Sequence, residues 1–257
     1  MPPNDILTTH GLTVEFGGLK ALNDVTVRVR EGEILSVIGP NGAGKTTFFN
    51  AVTGSYPPTS GDVLFRGETI TGLKPHEIAR RGVARSFQNL KPFAEMTVVE
   101  NVLVGREMHF RAGLLASVLR TPACRADERK AHERARELVD FVGLDRRRNT
   151  LARDLTYGEQ KMLEIARGLL LEPKLMLVDE PSIGLSPKLV AELFDLFKQL
   201  RGRGITVLMI EQNAKQALMH SDHGIVLELG RTRVADRAEN ILADPRIGQL
   251  FLGGGLE

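Results

Sequence analysis

The stretch "ILSVIGPNGAGKTT" (residues 34–47) runs an apolar segment straight into a glycine-rich turn and the start of a helix. A continuous apolar run of that length suits a strand buried on both faces, as in a parallel sheet. The turn after it sets Gly39, Gly44, Lys45 and Thr46 at the spacing G-x-x-x-x-G-K-[ST]. Glycines let the backbone bend sharply and bring its N–H groups close to a phosphate. The lysine then reaches the outer phosphates, and the hydroxyl is a ligand for Mg²⁺. Gly39, Pro40, Asn41, Gly42, Ala43, Gly44, Lys45, Thr46 and Thr47 are therefore the expected nucleotide cradle.

A nucleotide-hydrolysing site also needs an acid on the metal side and a group that orients water. "LMLVDEP" ends a second apolar strand with both. Asp179 is the candidate for the Mg²⁺ shell and Glu180 the candidate general base. The two lie much further down the chain than a compact hydrolase requires, so a helical insertion is expected between Lys45 and Asp179. The bland alternative is that both acids only cap the loop that follows.

Bulk properties narrow the class. The chain has 257 residues, 42% hydrophobic and 26% charged, enough for one large domain with an inserted subdomain. A formal net charge of +2 gives no argument for nucleic acid. The single cysteine, Cys124, rules out an internal disulfide and a cysteine-based zinc site. "MPPNDILTTHGLTV" has no basic segment followed by an apolar one, and no run approaches the length of a membrane helix. Any membrane role is expected to be peripheral and partner-dependent.

The pattern along the chain changes twice. "LTVEF" (12–16), "VTVRV" (25–29) and the hairpin "GDVLFRGETI" (61–70) read as strands of an N-terminal antiparallel subdomain. Residues 91–155 read as helical, with "TVVEN" (97–101) opening on a capping box and 126–144 forming a charged amphipathic helix. Strand and helix then alternate through "LMLVDE", "ITVLMI" (205–210) and "GIVLEL" (224–229). The expected division is residues 1–90 and 156–257 as an α/β core with a β subdomain, and 91–155 as the helical subdomain. "LTYGEQKMLEIAR" (155–167) carries a second capping box, Thr156 with Glu159, before an amphipathic run. A helix start of this kind attracts anions, so the chain has two places suited to phosphate.

Together these elements resemble the ATP-binding subunits of ABC transporters over nearly the whole length. The matching pieces are "GPNGAGKTT", "ARSFQNL" (84–90), "LTYGEQKMLEIAR", "LMLVDEPSIGLSP" and "IEQN". The resemblance implies ATP and Mg²⁺ as cofactors, a P-loop NTPase core, and two subunits facing head to tail. Each P-loop would then share its ATP with the partner's signature helix, so Thr156, Gly158 and Glu159 would serve a second subunit's nucleotide. It also implies that Phe16 stacks on adenine, that Gln88 reaches Mg²⁺ and water beside Thr46 and Asp179, and that Gln212 sits at the γ-phosphate switch. Phe16 could equally be a core residue of an edge strand, and Gln88 ordinary polar surface.

Three positions depart from the family pattern. Tyr157 stands where glycine is most usual, and Ser186 where Asp or Asn often follows "GL". Gln212 replaces a histidine that usually contacts the γ-phosphate; it donates a neutral hydrogen bond but cannot titrate. Weaker phosphate sensing is expected there, with hydrolysis retained because Glu180 is present.

Within the family, "YGEQ", "FQNLKPFAEMTVVENVLVG" and the long arm at 111–144 resemble ATPases of branched-chain amino acid importers, while "EPSIGLSP" and "IEQNAKQAL" look more like the sister ATPase of those systems. The implied partners are permease subunits received around residues 90–125, a second ATPase (the same or the sister chain) and, indirectly, a periplasmic binding protein. The implied location is the cytoplasmic face of a bacterial inner membrane. The rival readings are the ATPase of a lipopolysaccharide exporter or of a urea or amide importer, and a nucleotide-gated clamp on DNA or the ribosome.

Overall fold

The computed structural model describes residues 5–86, 92–107 and 122–245. They group into two compact units: Met1–Arg85, Lys174–Ile183 and Ala191–Glu257 in the first, Ser86–Pro173 and Gly184–Val190 in the second. The boundary expected at 155/156 differs from this grouping, which keeps the 157–169 helix with the helical unit.

The first unit contains two sheets. A four-stranded antiparallel sheet has the order β2-β1-β4-β5, from β1 (Asp5–Phe16), β2 (Leu19–Arg30), β4 (Ser60–Phe65) and β5 (Glu68–Thr69). β1 is much longer than the expected "LTVEF", because bulges around Gly11 interrupt the alternation that would have revealed it. Thr9 lies fully buried there; its hydroxyl donates to Val25 O at 3.1 Å and accepts from Val27 N at 3.0 Å.

The second sheet has six strands in the order β10-β9-β3-β8-β7-β6. β3 (Ile34–Ile38), β7 (Leu175–Asp179) and β8 (Thr206–Glu211) are buried throughout, as continuous apolar strands require. β9 (His223–Glu228), β3, β8 and β7 pair in parallel, whereas β10 (Arg231–Arg237) returns antiparallel to β9. Because β3, β8 and β7 are adjacent and parallel, Gly39, Glu211 and Asp179 emerge at one edge, with Ile38 opposite Glu211 and Asp179 opposite Ile210. Phe48 and Phe49 of α1 (Lys45–Val52) fill the core between the sheets with Leu22, Val37, Leu177 and Ile210. A short α2 (Pro75–Arg80) precedes β6 (Val83–Ser86).

The helical unit is built from α3 (Val98–Glu107), α4 (Pro122–Phe141) and α5 (Tyr157–Leu169). The capping box at 97–100 forms: the Thr97 N–H and hydroxyl donate to Glu100 at 2.7 and 2.8 Å. Asn101, fully buried, satisfies its amide with Phe93 N–H and the carbonyls of Phe93, Met96 and Thr97. α3 crosses α5 so closely at Gly105 that a Cβ there would lie 2.7 Å from Arg167 O. The first turn of α6 (Pro187–Gly202) is capped by the Ser186 hydroxyl, 3.5 Å from Leu189 N. The helices α7 (Ala214–Met219) and α8 (Ala238–Ala243) complete the fold. Among the described residues no helix is long and apolar enough to cross a membrane.

Candidate functional site

The loop after β3 is held by close packing. A Cβ at Gly39 would sit 2.2 Å from Leu227 O, and one at Gly44, whose φ is +102°, 2.6 Å from Ala21 O. The turn between β9 and β10 pins the loop from outside: Gly230 N–H donates to Ala43 O at 3.0 Å, and Asn23 N–H to Gly230 O at 2.8 Å. Asn41, Gly42 and Thr46 are left exposed at its mouth. Lys45 is buried and folds back, its ammonium 2.7 Å from Gly39 O and 3.0 Å from Pro40 O. Burial pulls the Lys45 pKa down, while the Glu180 and Asp179 carboxylates oppose that shift. The structure thus brings Lys45, Asp179 and Glu180 into one electrostatic neighbourhood.

Asp179, at the end of β7, is 3% exposed. Its Oδ2 pairs with Arg85 Nη2 at 2.9 Å, and its Oδ1 is buried without a partner. An orphan buried carboxylate oxygen on the acid fits an ion bound largely by phosphates and water rather than by a protein cage. Glu180 follows at φ +47°, a left-handed conformation that side chains other than glycine rarely adopt. Its N–H donates to Ile210 O at 2.9 Å, which fixes the turn away from the strand.

Two participants were not picked out from sequence. Arg85 is the cation beside Asp179. Glu211, 1% exposed at the end of β8, accepts Ser182 N–H at 2.8 Å and Gln212 N–H at 3.2 Å. Burial pushes the Glu211 pKa up, the bonds from Ser182 and Gln212 draw it down, and nearby Glu180 raises it further. The signal was an acid closing an otherwise apolar strand in "LMIEQN". Gln212 itself is exposed, so its side chain is available at the surface. Phe16 is 49% exposed and meets Tyr56 edge-on, 5.4 Å between centroids, so it is not a core residue. Gln88 lies outside the described residues, as do residues 111–121 of the arm at 111–144.

In the helical unit the second anion-ready helix start is present. The Thr156 N–H and hydroxyl donate to Glu159 Oε2 at 2.8 and 3.0 Å, and Glu159 N–H returns to the Thr156 hydroxyl at 3.3 Å. Burial pushes the Glu159 pKa up, but the bonds from Thr156 and the Arg147 guanidinium at 3.0 Å leave it below the usual range. Gly158 is buried where a Cβ would meet Leu189 Cδ1 at 2.7 Å. Tyr157, 52% exposed, lays its ring against Gly184, with Lys161 Nζ 5.6 Å from the ring centroid. The aromatic substitution is thus accommodated by a glycine elsewhere in the same unit.

A family profile described as "ABC transporter" matches residues 22–183. The high-affinity branched-chain amino acid transport ATP-binding protein BraF of Pseudomonas aeruginosa is 44% identical, over 96% of this chain and 98% of that protein. LivG of Escherichia coli K12, with the same description, is 41% identical over 96% of this chain and 98% of its own. BraG of Pseudomonas aeruginosa is 36% identical over 97% and 100%. Among solved structures, the ADP conformation of an ATP-binding cassette of an ABC transporter superposes with a TM-score of 0.83, at 32% identity over 97% of this chain and 99% of that one. A dimeric cassette in a post-hydrolysis state bound to ADP and Pi superposes with a TM-score of 0.74, at 26% identity over 90% and 98%.

Proposed function

This chain belongs to the ATP-binding subunits of ABC transporters, and from that premise we propose that it is the ATP-hydrolysing subunit of a high-affinity importer of branched-chain amino acids. The observation that carries the reading is the grouping of Lys45, Asp179 and Glu180 at the edge where β3 and β7 end. The near-full-length likeness to BraF and LivG supports the solute class. Higher identity to BraF than to BraG of the same organism supports a seat corresponding to BraF.

In this reading the Lys45 ammonium leaves the Gly39 and Pro40 carbonyls and, with the loop amides, takes the β- and γ-phosphates. Thr46 and Asp179, with Gln88, would hold Mg²⁺, which would neutralise phosphate charge. Glu180 accepts the proton of the attacking water at its carboxylate. Thr156, Gly158 and Glu159 close over the γ-phosphate held by a second ATPase subunit, a copy or a sister chain; the dimeric state of a related cassette supports the pairing of two subunits. The assembly sits on permease subunits at the cytoplasmic face of the membrane.

Glu180→Gln tests this. Turnover should fall about a hundredfold or more with ATP affinity preserved; near-normal turnover overturns the assignment of Glu180. Size measurement of that variant should show a dimer only with MgATP. A persistent monomer that still binds ATP identifies a sister chain as the required partner, and a protein that binds no ATP refutes the reading.

A further inference from the structure

Arg85 occupies a position that the hydrolysis scheme above does not use. It lies in β6, which leads directly into the segment carrying Gln88, and its side chain is only 10% exposed. Its guanidinium is shared between two elements. Nη2 holds Asp179 Oδ2 at 2.9 Å, while Nη1 donates to Asn50 Oδ1 at 2.7 Å and to Thr53 Oγ1 at 3.3 Å. Asn50 belongs to α1 and Thr53 closes it, on the same helix that begins with Lys45 and Thr46. Phe49 of that helix packs under the guanidinium, 5.5 Å from its ring centroid.

The consequence is geometric. A planar fork with two occupied tines fixes the spacing between its partners in a way that a point charge does not. Here the partners are the phosphate-loop helix and the acid at the end of β7. The fork also selects between the two oxygens of Asp179: Oδ2 is taken, and Oδ1 is left buried with no partner. Without Arg85 the buried carboxylate would lose its direct ion-pair partner and keep only the longer-range pull of the Lys45 ammonium, so the pair is structural as well as directional.

We propose that Arg85 is the positioning residue of the metal side of this site, clamping Asp179 to the phosphate-loop helix so that one carboxylate oxygen, Oδ1, is left for the nucleotide-bound cation. The proposal rests on the reading of Asp179 as a metal-side acid. It makes the strand before Gln88 part of the metal site's framework, joined to it by side chains and not only by sequence.

The test separates nucleotide binding from its dependence on Mg²⁺. The affinity of the full chain for a fluorescent ATP analogue is measured in EDTA and in Mg²⁺, and the ratio defines a Mg²⁺ enhancement. Arg85→Gln should keep the EDTA affinity within about twofold and lose about tenfold of the enhancement, the equivalent of one good charge-assisted bond. Arg85→Lys retains the charge but cannot serve Asn50 and Asp179 together, so it should rescue only part of the loss. If Arg85→Gln does not fold, Arg85→Lys and Asn50→Ala carry the test, since both keep a cation by Asp179 while the first lacks the planar fork and the second lacks its shortest bond to α1; each should lose about threefold of the enhancement. Wild-type enhancement in folded variants overturns the proposal, as does an enhancement that rises, which would make Arg85 a cation competing with the metal. Asp179→Asn distinguishes the failures: if it leaves the enhancement intact, the reading of Asp179 has failed, and if it abolishes it while the Arg85 variants do not, only the role of Arg85 has.

Discussion

The Lys45 ammonium lies 2.7 Å from the carbonyl oxygen of Gly39, so the phosphate loop is closed by its own lysine. A phosphate entering the loop exchanges two carbonyl contacts for charged oxygens, and burial makes that exchange favourable, since the desolvated ammonium lacks a full counter-charge. Lys45→Met should therefore weaken ATP binding by about 10- to 100-fold, the equivalent of a hydrogen bond to a charged group. Thermal unfolding without nucleotide should barely change. Isothermal titration alongside a melting curve checks both halves.

Thr156 and Glu159 make a reciprocal cap, and its loss has a local cost. Thr156→Ala should lower stability by about 1 kcal/mol, seen as a fall of about 2–4 °C in Tm. Thr156→Ser should restore most of it. The same alanine variant should bind ATP normally as a monomer and form the ATP-dependent dimer poorly, which size measurement in the Glu180→Gln background reads directly.

Glu164 lies on α5 between Lys161 and Arg167, and burial pushes its pKa up to about 7, against the pull of both cations. A carboxyl raised in the folded state from an ordinary value of 4.5 contributes fully below that value and progressively less as pH rises through 7. Glu164→Gln should therefore match the wild type at acid pH and exceed it above neutrality, by about 3 °C in Tm. Melting curves across that range decide it, and a gain that is the same at all pH values contradicts the cause given.

Gln212 donates its backbone N–H to Glu211 and leaves its side chain exposed. Gln212→His should leave nucleotide affinity unchanged and raise turnover by about two- to tenfold, since imidazole adds a titratable contact to phosphate. A sharp fall in steady-state rate would show that glutamine has a role of its own here.

Much of this was legible in the sequence because the signals were local. The phosphate loop, both capping boxes and the buried parallel strands each announce themselves within a few residues. Glu211 and Arg85 escaped notice for the opposite reason. What singles out a buried charge is its partner, and Ser182 and Asp179 are distant in the chain from their respective partners. β1 was cut short because its bulges break the alternation on which a strand is recognised. α5 groups with the helical unit, where Gly105 lets α3 come close to Arg167, an approach that no periodicity encodes. The accommodation of Tyr157 likewise depends on Gly184, which lies beyond the helix that carries the ring.

The left-handed backbone at Glu180 has a consequence for anyone who would engineer or evolve this protein. A side chain at φ +47° costs about 1 kcal/mol that glycine, and to a lesser degree asparagine, would avoid. Exchanging Glu180 for either would relax the turn while removing the carboxylate. A selection for thermal robustness alone would therefore drift toward a sturdier chain that holds ATP and does nothing with it. Only a screen that also scores phosphate release would retain the acid against its own conformational preference.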